Sequence, residues 1–201
     1  MSPAQIKKAL AHLTRDKKLA ALIKKFEKPE FERNRDPFES LCRAVVGQQL
    51  SVKAAATIYG RFKALYPRGV TPRAVAKTKP QALRKVGLSN QKASYVHDLA
   101  KKFLDGTVNP KNFHEMTDEA IREHLIAVKG VGRWTADMFL MFTLHRPNVL
   151  PTGDLGIQKS MQLLFKLRIL PTHEKMVSLA EPWHPYRTIA CHYLWDSLDN
   201  K

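Results

Sequence analysis

At 201 residues the chain is long enough for one domain or two small lobes, and its 44% apolar content supports a packed core rather than wholesale disorder. Lys and Arg outnumber Asp and Glu by 34 to 18, a net charge of +16. That balance is foreign to most enzymes of small metabolites and suits a polyanion, because each neutralised phosphate releases counterions. An anionic membrane surface would want a long apolar stretch or a lipid signal, and neither occurs. Nucleic acid and a merely basic, solubilising surface remain.

The two cysteines, Cys42 and Cys191, lie far apart and form no CxxC pair. This argues against a disulfide scaffold or zinc knuckle and excludes a four-cysteine iron–sulfur cluster. The first residues lack the apolar core of a secretory signal, so the expected setting is intracellular and reducing.

In chain order the signals are helical, and alternation nowhere persists for strand length. Ile6, Leu10, Leu13, Leu19, Leu22, Ile23 and Phe26 predict one or two amphipathic helices. Asp36-Pro37-Phe38-Glu39 is a helix start, with Asp at the N-cap, Pro at N1 and Glu at N3; that helix should end near Gly47. Ser51 caps the next, expected over 52–65. Thr71-Pro72 and Thr78-Lys79-Pro80 open two short helices, and another runs from Asn90 to Leu104. Thr117 caps a helix expected to end at Val128, and a further one spans about Arg133 to Leu144. Residues 147–153 form a loop. Helices then follow over 154–167, 172–179 and 185–198. The chain should be all-α, with roughly ten helices.

The segment from Leu125 to Ala136 has a specific construction. Two helices meet at Gly130-Val131-Gly132, a turn too tight for side chains, where the glycines permit positive φ and close approach of another chain. Amides at the start of the second helix are donors suited to an anion. Val131 should pack between the helices, and Lys129 and Arg133 add charge. Such a hairpin holds DNA phosphates without reading sequence, although Gly-Val-Gly alone could be a plain helix cap.

These residues resemble the helix-hairpin-helix (HhH-GPD) superfamily of DNA glycosylases, defined by a hairpin, a Gly/Pro-rich loop and an Asp. The loop Asn148-Val149-Leu150-Pro151-Thr152-Gly153 leads to Asp154, 22 residues after Gly132, in the family's arrangement. The segment 45–52 (Val-Val-Gly-Gln-Gln-Leu-Ser-Val), with Trp183-His184-Pro185-Tyr186-Arg187 and Trp195, is similar to the 3-methyladenine glycosylase II, or AlkA-like, branch. The likeness covers about 36–198. It implies an all-α fold of two helical lobes, one over about 36–134 and one over about 1–35 plus 135–201, with an active-site cleft between them. Only 35 residues precede Asp36 and they read helical, so the compact version without an N-terminal β domain is expected.

The implied activity is base excision: hydrolysis of the N-glycosidic bond of alkylated purines such as 3-methyladenine and 7-methylguanine in duplex DNA, by a monomer acting with the DNA in a bacterial cytoplasm or a nucleus. Asp154 would stabilise an oxocarbenium-like sugar and direct water, whereas alone it reads as an N-cap. Members that also cut the strand place a Schiff-base Lys where Trp134 stands, so no lyase step is expected. Trp134 and Trp195 are implied pocket walls, each with core packing as its plainer reading. Met138 and Leu155 occupy positions that are often aromatic in relatives. Gln49, with Gln48 beside it, stands where the family places the wedge that fills the gap left by the flipped nucleotide; both could instead cap helix ends. Lys129, Gly130, Val131, Gly132, Arg133 and Thr135 are the remaining DNA-binding candidates. No cofactor is required, but the family's hairpin often binds Na+ or K+ through backbone carbonyls, by position those of Ile126, Val128 and Val131. Asp137 reads as a solvated or capping residue, Arg187 as an ion-pair former, and His97, His114, His124 and His192 as packing or surface residues. The rival functions are excision of deaminated bases such as hypoxanthine and an inactive DNA-binding module.

Overall fold

A computed structural model describes residues 1–31 and 36–199. Twelve α-helices and two short 3-10 turns account for its regular structure, and no strand occurs among the described residues. The chain divides into two units, Met1–Arg33 with Leu140–Lys201, and Asn34–Phe139. Residues 32–35, at the end of the segment expected to close one lobe, lie outside the described residues.

In the first unit, α1 (Pro3–Leu13) and α2 (Lys17–Lys25) resolve the N-terminal pattern into two helices. Ser2 and Gln5 form a reciprocal capping box on α1. Asp16 divides its oxygens: Oδ1 caps α2 through the Lys18 and Leu19 amides, and Oδ2 accepts the Trp183 indole N–H at 2.8 Å.

The second unit starts with α3 (Pro37–Gly47), whose N-cap Asp36 accepts the Glu39 amide at 2.8 Å as its sequence predicts. Ser51 caps α4 (Val52–Ala64), Thr71 caps α5 (Pro72–Lys77), and α6 spans Pro80–Lys85. Ser89 caps α7 (Asn90–Leu104), which packs against α3, α5 and α6 and is the spine of this unit. A 3-10 turn, Pro110–Glu115, follows where the sequence carries no helical pattern. Thr117 then caps α8 (Asp118–Ile126), and α9 (Arg133–Phe142) follows; the division between the units falls within α9.

The first unit resumes with α10 (Leu155–Leu164), α11 (His173–Leu179), a 3-10 turn at Glu181–Trp183, and α12 (Arg187–Asp199). Helix α12 packs against α10, α2 and α1. Leu13, Leu19, Ile157, Met161, Trp183 and Leu194 are all at most 1% exposed. At about 25 cal/mol per Å² of apolar surface, such burial is the main favourable term holding a small helical unit together.

Helix C-termini depart most from expectation. Helix α8 stops two residues before Val128, where the Val128 amide turns to Leu125 O (3.0 Å) and the Val131 amide to Val128 O (3.1 Å). Helix α9 stops at Phe142 and not Leu144, because His145 takes φ 53° and the Arg146 amide folds back to Leu140 O. Helix α10 stops at Leu164 and not Leu167: Lys166 takes φ 52° and the Leu167 amide closes on Gln162 O at 2.9 Å. Left-handed closures normally use Gly. His and Lys announce none.

Candidate functional site

In the second unit the hairpin is fixed from three directions. Gly130 has φ +78°, and a Cβ there would lie 2.1 Å from Tyr95 Cδ2. The α-carbon therefore rests directly on the Tyr95 ring, where only Gly fits. From the same helix, Asp98 Oδ2 accepts the Lys129 amide at 2.8 Å. From the break between α3 and α4, Gln48 Nε2 donates to Gly130 O at 2.7 Å. The break is itself held by Lys92, whose ammonium donates to Val46 O (2.8 Å) and Gln48 O (2.7 Å), the carbonyl end of α3. Burial lowers the Lys92 pKa.

Gly132 departs from expectation. Only Gly130 is left-handed; Gly132 is not, and a Cβ on it would meet open space. Gly132 thus leaves its face clear from outside the hairpin, while Gly130 makes room for Tyr95 inside. Val131 is buried between the helices as anticipated. Thr135, expected at the DNA surface, has a buried side chain, so what it can offer an external chain is its backbone amide. The helical ladder of α9 begins with the Ala136 amide on Gly132 O, so the amides of residues 133–135 precede it.

The charges beside the hairpin are organised. Arg133 donates from both terminal nitrogens to Glu119, at 3.0 and 3.2 Å. Arg122 joins Glu119 (2.9 Å) to Asp137 (2.6 Å). Asp137 is not a solvated residue: it is 3% exposed, and burial pushes its carboxyl up against the opposing pull of Arg122. Hydrogen bonding to Arg133 lowers Glu119. Arg133 thus reaches the hairpin surface already shared with a carboxylate. Lys129 is exposed.

Next to the hairpin lies a cavity of about 710 Å³, lined by Arg43, Gln48, Gln49, Leu50, Trp134 and Met138 among others. Trp134 is 47% exposed, which overturns its core-packing reading. Gln49 is exposed at φ 55°, between the end of α3 and Ser51, and its side chain caps no helix.

In the first unit, Asp154 is the N-cap of α10. Its Oδ1 accepts the Ile157 amide at 2.9 Å and the Trp195 indole N–H at 3.0 Å. Cap and functional candidate are therefore one residue, with Trp195 as a second donor that local sequence does not predict. The preceding loop is pinned by Thr188, which donates to Arg146 O (2.5 Å) and accepts the Val149 amide (3.0 Å), and by Gln158 Nε2 on Thr152 O (2.8 Å). Trp195 stacks on Phe142 with centroids 5.8 Å apart, and His192 meets it edge-on. Leu155 is 53% exposed. Arg187 pairs with Glu181 and donates to Ala180 O, a local contact. Asp154, Leu155 and Trp195 thus share the first unit; Gln48, Gln49, Trp134, Met138 and the hairpin share the second.

His97, His114 and His124 each donate to a nearby carbonyl. His192 differs. Its Nε2 is buried without a hydrogen-bond partner among the described residues, and Phe31, Phe142 and Trp195 surround the ring. Burial pushes its pKa down from 6.5 to about 4. Protonation therefore favours the unfolded chain. The stability of the neutral ring is intact above pH 6.5, declines as pH falls below that, and is lost by about pH 4, a cost of up to about 3 kcal/mol. Urea unfolding of wild type and His192→Phe across this window should show a shallower acid loss in the variant; parallel curves would refute the assignment.

Comparison with known proteins matches residues 42–185 to the HhH-GPD superfamily base excision DNA repair protein family. The chain belongs to this family. It is 34% identical over 182 residues to DNA-3-methyladenine glycosylase 1 of Schizosaccharomyces pombe, covering 89% of this chain and 80% of that protein. Among solved structures it is similar to S. pombe 3-methyladenine DNA glycosylase (Mag1) in complex with abasic DNA: TM-score 0.80, 32% identity, 96% of this chain and 97% of that one. It is also similar to a Bacillus halodurans DNA-3-methyladenine glycosidase: TM-score 0.85, 32% identity, 99% and 90% covered. The all-α HhH-GPD fold and the alkylation-repair branch expected from the motifs stand.

Proposed function

We propose that the chain is a monofunctional DNA glycosylase that hydrolyses the N-glycosidic bond of alkylated purines, 3-methyladenine and 7-methylguanine among them, and leaves an abasic site uncut. The observation that carries this reading is Trp134, a half-exposed indole in the cavity wall at the position where strand-cutting members have a lysine. Imine formation needs an amine, and an indole has no basic nitrogen. Its face attracts the cationic ring of a methylated purine by about 0.5–2 kcal/mol. The same positive charge makes that base a good leaving group.

The other residues have definite tasks in this scheme. The hairpin amides and Lys129 take phosphates of duplex DNA without reading bases. Turning the nucleotide out costs a few kcal/mol. Gln49, exposed at the helix break that Lys92 and Gln48 hold, is offered to the vacated space. As the bond to the base breaks, its electrons leave with the base, which departs neutral. The Asp154 carboxylate stabilises the cationic sugar and accepts the proton of the attacking water. The carbonyls of Ile126, Val128 and Val131 suit a monovalent cation. Helix α8 ends at Ile126, so carbonyls there lack intrahelical donors, and Val128 O keeps a second lone pair after accepting the Val131 amide.

Incubation with methylated duplex DNA should release free 3-methyladenine or 7-methylguanine. Release of hypoxanthine alone, from inosine-containing DNA, would replace the substrate assignment with a deaminated base. No release of any base would reduce the chain to a binding module. Borohydride should trap no covalent enzyme–DNA adduct; a trapped adduct would refute the assignment without a lyase step.

A further inference from the structure

Gly156 is the second residue of α10 and has no left-handed φ. Nothing in its backbone calls for glycine. In a helix interior Ala is favoured over Gly by about 0.5–1 kcal/mol, and in this first turn too Gly brings the larger loss of chain freedom on folding. The explanation lies in space. A Cβ on Gly156 would stand 3.0 Å from Asp154 Oδ1, 3.1 Å from Trp195 Cδ1 and 3.2 Å from Trp195 Nε1. Those contacts include both atoms of the Asp154–Trp195 hydrogen bond. Neither partner can recede without loss. Asp154 is tied through its own amide to Pro151 O (2.9 Å) and through Oδ1 to the Ile157 amide. Trp195 is braced by Phe142 and His192.

We propose that Gly156 is a positioning residue for base excision: its bare α-carbon is the clearance through which the Trp195 indole N–H reaches Asp154. The proposal rests on the reading of Asp154 given above. It separates two roles of Trp195, the aromatic wall and the N–H donor that orients the carboxylate, and assigns the second to this contact.

Two variants and two readouts test it. Gly156→Ala keeps the indole and crowds the bond; Trp195→Phe keeps an aromatic ring against Phe142 and removes the donor. Each should lower the single-turnover excision rate on methylated duplex by about 10- to 100-fold, the loss expected for one hydrogen bond to a charged group. Affinity for abasic duplex should be unchanged. Gly156→Ala should stay folded, its melting temperature lowered only by the part of the crowding that the better helix propensity of Ala does not offset. The second readout is independent of catalysis. The three tryptophans give three indole N–H resonances in an 15N-labelled sample. That of Trp195, absent in Trp195→Phe, should move upfield in Gly156→Ala. A wild-type rate in either variant, or an unmoved resonance in Gly156→Ala, overturns the proposal. If wild type excises no methylated base, the functional reading falls by itself, while the resonance still decides whether Gly156 makes room for the contact.

Discussion

Asp154→Asn is expected to slow release of methylated purine by at least about 10²–10³-fold while the protein stays folded and still binds DNA. The substitution is close to isosteric. Asn is as good an N-cap as Asp, and its carbonyl oxygen can still accept the Ile157 amide and the Trp195 indole that now converge on Oδ1. The start of α10 should therefore survive, and thermal stability should change by no more than about 1 kcal/mol. The negative charge is what disappears. An amide offers the cationic sugar no compensating charge and cannot accept a proton from water. Single-turnover kinetics on methylated duplex, beside an affinity measurement on abasic duplex, separate the two consequences. An Asn variant that excises at the wild-type rate would end the case for Asp154 in the chemistry and leave it as a helix cap.

Gly130→Ala should be the most disruptive single methyl group in the second unit. An L-residue in the left-handed region costs about 1–2 kcal/mol. The new Cβ would also fall 2.1, 2.3 and 2.6 Å from Tyr95 Cδ2, Cε2 and Cγ, so the ring must move. Its hydroxyl accepts from Gln91 Nε2 at 2.6 Å, which resists the movement. Overpacking of this kind adds about 1–3 kcal/mol, giving a total of about 2–5 kcal/mol. Displacing Gly130 also strains the Gln48 contact, so affinity for duplex DNA should fall with stability. The double variant Gly130→Ala/Tyr95→Ala should recover the packing part and not the backbone part. Gly132→Ala, whose Cβ points into open space, should leave stability unchanged and weaken DNA binding alone. Equal stability losses in the two alanine variants would contradict this division of labour between the glycines.

The hairpin was legible from sequence because its signals are local: two glycines, a buried valine and capping residues within a dozen positions. What holds the hairpin was not. Lys92, Tyr95 and Asp98 lie three residues apart and so share one face of α7. No rule of sequence says whether such a face meets solvent, another helix or a turn more than 30 residues away. The Asp137–Arg122 pair was missed for the same reason: a lone Asp in an amphipathic helix reads as exposed until its partner on another helix is known. The early ends of α9 and α10 were hidden because His145 and Lys166 close them in a conformation that normally advertises itself by glycine.

Read from the chain alone, the helical class, most helix starts, the left-handed demand at Gly130 and the place of Asp154 at a helix start are legible, and so is an indole, not an amine, at position 134. Each follows from sterics or hydrogen bonds spanning about four residues, or from a residue type that cannot do the alternative chemistry. The fold adds what distant segments supply: the indole of Trp195, 41 positions away, is a donor to Asp154, Gly156 leaves room for it, Trp134 faces a cavity, and Arg133 is shared with Glu119. Those pairings join segments distant in the chain. They exist only once apolar burial has brought the helices together, and nothing in either partner's neighbouring residues announces the other.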